Sequence, residues 1–287
     1  MSVIELVSET MRCHVAPEVG GCIMGLWRGD IPVLRSVTGA HYPTALNAGS
    51  YPLVPYSNRI DQGRFVWDGQ PHTLTISTVH PPHAIHGVGY QKPWRVRYQQ
   101  EDMVVLALTH LADEHWPFSF EVTQQFLLSP SGLNLRMRII NLSDLTVPAG
   151  LGWHPNFVKR AGSHITFEAN GRWEMGADLL PTHRASSYGL DDDCAGLEVD
   201  HCFDLWAGVV HLRDELLHSR ISSDLNRLVV FTHPSQDIVA IEPVSHVNNA
   251  LGLIASSGAS AEDLGLRLLA PGGVMTAEMN LIVENVQ

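Results

Sequence analysis

Residues 120–139 read FEVTQQFLLSPSGLNLRMRI, and their period decides the class of fold. Leu133, Leu135, Met137 and Ile139 alternate with Asn134, Arg136 and Arg138. Successive side chains of an extended chain point to opposite faces, so this pattern predicts a strand with one apolar and one wet face. Just upstream, Phe120, Val122, Phe126 and Leu128 alternate with Glu121, Thr123 and Gln125, and Ser129-Pro130-Ser131-Gly132 supplies a short turn. The two runs predict an antiparallel hairpin.

The same period extends outward. Trp94, Val96 and Tyr98 set against Arg95, Arg97 and Gln99 predict another strand, paired with Met103–Thr109 across Gln100-Glu101-Asp102. A last strand is expected over Val274–Val283, after Pro271-Gly272-Gly273, and a further one over Arg64–Trp67. Helical spacing is confined to 209–218, where Leu212, Leu216 and Leu217 suggest one short helix. The predicted class is all-β.

The 24 glycines and 17 prolines are spread along all 287 residues, with no linker-like cluster and no repeat, so residues 1–287 are expected to form a single domain. Thirty acidic against 18 basic side chains leave a formal charge of −12, which argues against a nucleic-acid or anionic-membrane partner because phosphate binding needs a basic stripe. The first thirty residues lack a basic start followed by an apolar run, and no apolar stretch is long enough to span a bilayer. Cys13, Cys22, Cys194 and Cys202 fit neither a CxxC motif nor a disulfide-stapled scaffold. A cytoplasmic protein with reduced thiols is the expectation. Asn141-Leu142-Ser143 reads as a turn.

Segments near 40–65, 80–92, 145–160 and 185–202 lack alternation and hold many Gly, Pro, His and Asn residues, the composition of loops that carry function. YPLVPYSNRIDQGRFVWDG (51–69) places Asn58-Arg59 after two prolines. Arg59 has five fixed donors for hydroxyls or a carboxylate, or it forms an ion pair with Asp61. HPPHAIHGVGY (80–90) contains His80, His83 and His86. Its prolines and glycines oppose the helix that would put His83 and His86 on one metal-binding face. GLGWHPNF (150–157) holds His154 before a proline, readable as a hydrogen-bonded core histidine or as a catalyst. VAIEPVSHVNNALG (239–252) sets Glu242 at the end of an apolar run, where it is either a surface carboxylate or a partly desolvated one with the raised pKa of a general base. VDHCFDLWAG (199–208) adds Asp200, His201 and Asp204 around Phe203.

In combination and order these segments resemble the aldose 1-epimerase (galactose mutarotase-like) family, over nearly the whole chain from Pro17-Glu18-Val19-Gly20-Gly21 to the closing PGGVMTAEMNLIV. The carrying motifs are NRIDQGRFVWDG, HGVGYQKPW, GWHPNF, DHCF and IEP. The resemblance implies a large antiparallel β-sandwich of the supersandwich kind with a concave sugar-binding face. It implies interconversion of α and β anomers of a free aldose such as galactose or glucose, with Glu242 as general base and His154 as general acid. Asn58, Arg59, His86 and Asp200 would bind substrate, and no cofactor or metal is called for. The only expected partner is a small-molecule sugar, with the protein a monomer or homodimer. His-Gly-Val-Gly replaces the family's His-Gly-Gly, and His-Pro-Asn-Phe replaces its commoner His-Ser-Tyr-Phe, so the aromatic wall beside His154 is missing or comes from Trp153.

Three other functions compete. A hexose-6-phosphate mutarotase would need a basic rim, for which Arg28, Arg35, Arg59 and Arg64 are candidates. A non-catalytic sugar-binding protein would keep the scaffold without turnover. A cupin-like metal enzyme would need a tight His-x-His that the chain does not contain.

Overall fold

Two antiparallel sheets face each other in a computed structural model that describes residues 2–36, 44–76 and 80–286. Residues 40–43 of the first irregular stretch lie outside the described residues. The larger sheet has nine strands. Its centre is the expected hairpin: Phe120–Ser129 pairs with Gly132–Asn141 in register from Phe120 opposite Asn141 to Ser129 opposite Gly132. Val274–Asn285 runs on its far side and Met103–His110 on its near side. The second sheet has eight strands, among them Gly171–Met175, Val199–Asp204, Arg227–Thr232 and Ile238–Val244.

Contacts between the inner faces hold the sandwich. Phe167 from the nine-stranded sheet meets Phe203 from the other edge-to-face at 4.9 Å. At residue 124 the hydrophobic alternation is interrupted, and Gln124 is nevertheless buried. Its Oε1 accepts from the indole Nε1 of Trp153 at 2.9 Å, and its Nε2 donates to the Gly21 carbonyl at 3.0 Å. A buried amide must find such partners, and removing one costs on the order of 1–3 kcal/mol.

Two sequence expectations are corrected. The helix over 209–218 is a hairpin: Val209–Arg213 pairs with Leu217–Ser223. Val210 and Leu212, then Leu217 and Ile221, face the core, whereas Leu216 lies exposed at the turn. Three leucines at helical spacing were a product of the turn interrupting two period-two runs. The strand at Arg95–Gln99 exists and pairs as expected with Met103–His110, but it is the outermost strand of its sheet and a bulge between Val96 and Tyr98 shifts its register. Val96 and Tyr98 are therefore exposed, and only Trp94, just before the strand, enters the core.

All four cysteines are buried free thiols. Burial pushes the Cys202 thiol up to about 12 and the Cys194 thiol up to about 11, so neither is a ready nucleophile. No helix among the described residues is long and apolar enough to cross a membrane.

Candidate active site

Both carboxylates of the candidate set rise from strands of the eight-stranded sheet. Asp200 sits opposite Phe231, which sits opposite Ala240; two residues along, Cys202, Val229 and Glu242 are aligned in the same way. Residues two apart on a strand share a face, so Asp200 and Glu242 project from the same side. Of the two readings of Glu242, the surface carboxylate gives way to the desolvated one: it stands within a strand in which every residue is buried, not at the end of one.

Three further segments border that face. The stretch 51–61 threads between them and is stitched to each by its backbone. Trp153 and Gly152 pair with Pro52 and Leu53. The Val54 carbonyl accepts from the N–H groups of Val88 and Gly89, each at 3.0 Å. The Ser57 N–H donates to Nε2 of His246 at 3.0 Å, and the Asn249 N–H donates to the Arg59 carbonyl at 3.0 Å. Gly87 has φ +72°, and a Cβ there would run into the Val54 carbonyl, so only glycine permits this close approach.

The result is an open pocket of about 230 Å³ lined by Asn58, Arg59, His86, His154, Asp200 and Glu242 together. Every residue that the family resemblance marked for catalysis or substrate binding lines it. Nε2 of His154 lies 3.1 Å from Oε1 of Glu242, with the histidine side chain 15% and the glutamate 3% exposed. Burial drives the Glu242 carboxyl well above the usual carboxylate range, helped by the nearby Asp200 charge and opposed by Arg59. Burial also lowers His154 to about 3, with Arg35 and His80 adding to the effect. Each group alone is thus pushed toward its neutral form. Glu242 Oε2 and His154 Nδ1 are buried and have no hydrogen-bond partner among the described residues.

His86 is fixed as a neutral donor. Its Nδ1 accepts from the Asn58 backbone N–H at 3.2 Å, so the ring hydrogen sits on Nε2. Burial, reinforced by His154 and Arg59, holds its pKa well below the usual histidine range. Asn58 Oδ1 accepts from the Arg59 N–H at 2.9 Å and orients its neighbour. No ion pair links Arg59 to Asp61 among the described residues. Asp61 lies instead 3.4 Å from Nδ1 of His83.

The family profile of the aldose 1-epimerases matches residues 2–281. The chain belongs to the aldose 1-epimerase family. A solved structure of a candidate aldose 1-epimerase from Escherichia coli K12 superposes with a TM-score of 0.88 at 25% identity, covering 99% of both chains. A galactose mutarotase-like protein of Clostridium acetobutylicum shares the fold at a TM-score of 0.84 and 18% identity, over 99% of this chain and 95% of its own. Among curated relatives, the uncharacterized YphB of E. coli K12 is 31% identical over 173 residues, 60% of this chain and 58% of YphB. The uncharacterized YihR of the same strain is 24% identical over 217 residues, 69% of this chain and 70% of YihR.

Several pocket residues of this family member escaped the sequence reading. Tyr51, Asn156 and Gln236 line the pocket, together with Arg35 of the basic-rim alternative. The Tyr51 ring stacks on His154 with centroids 4.5 Å apart and planes 20° apart. The aromatic wall beside His154 is therefore Tyr51, whereas Trp153 points into the core toward Gln124. Tyr51 stood in the quoted stretch 51–69, but only folding reveals its contact, which spans a hundred residues of chain. Arg35 spends its Nε and Nη2 on the carbonyls of Leu46 and Ala48. Arg28 and Arg64 do not line the pocket, so the four arginines of the phosphate-binding alternative do not gather into one rim. His83 is held by backbone, accepting from the Gln62 N–H at 3.1 Å and donating to the Asp178 carbonyl at 3.1 Å. Asp204 is taken by Arg184 and Arg227.

Proposed function

We propose that residues 1–287 act as one domain that interconverts the α and β anomers of a free aldose, with galactose or glucose as the default substrate. The observation that carries this reading is the 3.1 Å contact between buried Glu242 and His154 at the floor of a pocket that also holds Arg59, His86 and Asp200. Mutarotation removes the proton of the C1 hydroxyl, places one on the ring oxygen, opens the ring to the aldehyde, rotates C1–C2 and recloses on the other face. An acid and a base must therefore act together on either side of the anomeric carbon.

Glu242 takes the C1 hydroxyl proton and His154 protonates the ring oxygen; on reclosure the two roles reverse. The catalytic state, carboxylate beside imidazolium, has the same proton count as acid beside neutral imidazole. One transfer across the 3.1 Å contact interconverts them. Burial favours the neutral arrangement, and the Arg59 charge favours the carboxylate. His86 offers its Nε2 hydrogen to a sugar oxygen without changing protonation state. Asp200 accepts from hydroxyls and Arg59 donates to them in charge-assisted bonds. This scheme calls on side chains alone.

The test is a polarimetric screen of glucose, galactose, other free aldoses and their 6-phosphates. The expected result is mutarotation of a free hexose at least a hundredfold above the buffer rate. Acceleration of the 6-phosphates alone would replace this reading with the phosphosugar one. Binding without acceleration would leave a sugar-binding protein.

A further inference from the structure

Tyr51 and His154 each precede a proline, Pro52 and Pro155. A proline ring pushes the residue before it toward extended backbone, so both side chains project from stiffened chain. The two segments run antiparallel, with Pro52 opposite Trp153, and the His154 N–H donates to the Tyr51 carbonyl at 3.0 Å. That bond involves main chain only, so it survives a change of side chain at 51.

Three rings then box one another in. Tyr51 is buried and lies nearly flat on His154, with centroids 4.5 Å apart and planes 20° apart. His86 stands edge-on to both, at 5.3 Å and 89° from His154 and at 5.7 Å and 69° from Tyr51. A histidine that transfers protons is usually aimed by a hydrogen bond on its second ring nitrogen. His154 Nδ1 has no such partner among the described residues. Ring contacts therefore set the imidazole plane, and with it the 3.1 Å approach of Nε2 to Glu242.

The stacking is electrostatic as well as steric. The face of an aromatic ring is negative, and it attracts a cation within about 6 Å of its centre far more than it does a neutral group. Burial, with nearby Glu242 and Tyr90 adding and Arg35 opposing, holds the Tyr51 hydroxyl well above its usual pKa, so the ring beside His154 stays an uncharged phenol. Its face favours imidazolium over imidazole at the moment the Glu242 proton crosses to Nε2.

We propose that Tyr51 is a positioning residue that acts through His154: its ring fixes the imidazole plane, and its π face stabilises the protonated histidine that delivers a proton to the sugar ring oxygen. The proposal rests on the mutarotase reading for the step it serves. The ring carries the effect, and the hydroxyl has no part in it.

The test compares the wild type, Tyr51→Phe and the full-length protein carrying pentafluorophenylalanine at position 51, in polarimetry of galactose and glucose. Fluorination keeps the shape of the ring and reverses the polarity of its face, so packing is held constant while the cation–π attraction is lost. Tyr51→Phe should keep at least about a third of the wild-type kcat, and the fluorinated ring should lower kcat about tenfold below that of Tyr51→Phe with KM within about threefold. In a His154→Asn background the two rings should give equal rates. At pH 4, nitrogen-15 shifts of the His154 ring should report an imidazolium fraction at least about twofold smaller with the fluorinated ring than with phenylalanine, a comparison that needs no turnover. The inference is overturned by equal kcat for the two rings, by equal imidazolium fractions, by a fluorine effect that persists in His154→Asn, or by a tenfold loss in Tyr51→Phe, which would move the role to the hydroxyl. Fast mutarotation that is indifferent to fluorination would sink the role of Tyr51 alone. Different imidazolium fractions, with no acceleration of any free aldose by the wild type, would uphold the coupling of Tyr51 to His154 and sink the mutarotase reading alone.

Discussion

Asn58 and His86 exchange two hydrogen bonds: the Asn58 N–H donates to His86 Nδ1 at 3.2 Å, and the His86 N–H donates to the Asn58 carbonyl at 3.0 Å. Both residues hold left-handed backbone, with φ of +53° and +62°. The pair locks two loops together, fixes the histidine tautomer, and leaves Asn58 Oδ1 to orient Arg59.

Asn58→Gly and Asn58→Ala separate these contributions. Each removes the acceptor for the Arg59 N–H, and alanine additionally meets the left-handed penalty of about 1–2 kcal/mol. Urea unfolding should show the alanine variant about 1 kcal/mol less stable than the glycine variant. In mutarotation assays both should raise KM more than they lower kcat. Equal stabilities would show that the backbone at 58 relaxes.

Glu242→Gln and His154→Asn should each retain the fold and lose at least a hundredfold in kcat/KM, because each removes one of two groups that must act together. The double variant should be little slower than either single one, since residues acting as a unit are not additive. Near-normal polarimetric rates in either single variant would remove the pair from the mechanism.

The Glu242–His154 pair should titrate as a unit. With His154 lowered to about 3 and Glu242 raised well above the carboxylate range, the one-proton state persists through the middle of the pH scale. The log of kcat/KM should therefore be flat across the range near 6.5 where an ordinary histidine titrates. A tenfold decline centred on that value would contradict the shared-proton scheme.

Stability, in contrast, should fall on mild acidification. His246 is buried, and its pKa drops from 6.5 to about 4, chiefly by desolvation. Its unfolded form takes up a proton near 6.5 that the folded form refuses until about 4, so the stability it confers is full above 6.5 and lost as the pH falls toward 4. From pH 7 to 5 the loss is about 2 kcal/mol. Urea unfolding of wild type and His246→Asn at both pH values should show the wild-type advantage shrinking by that amount. A constant difference would mean that His246 titrates normally.

The strands were legible where one side of the sheet is wet. Phe120–Ser129 and Gly132–Asn141 alternate because the outer face of their sheet meets water, and that contrast is written in the residues. Arg95–Gln99 alternates as well, but at the sheet edge both of its faces are exposed, and no local pattern distinguishes an edge strand from an inner one. Ile238–Val244 shows no alternation because it is buried on both faces, which is why Glu242 looked like the end of an apolar run.

The residue types able to carry acid, base and hydroxyl recognition, their order along the chain, and the all-β class were determined by the sequence alone. Their convergence was not. Glu242 and His154 are 88 positions apart and meet at 3.1 Å only because the Ile238–Val244 strand pairs with residues 152–153 and 156–158. Tyr51 reaches His154, and His246 supports Ser57, through long-range backbone pairing that has no local signature. The protonation states are likewise tertiary. Desolvation depends on everything packed around a group, and it turns an ordinary glutamate and an ordinary histidine into a pair whose proton lies within reach of both.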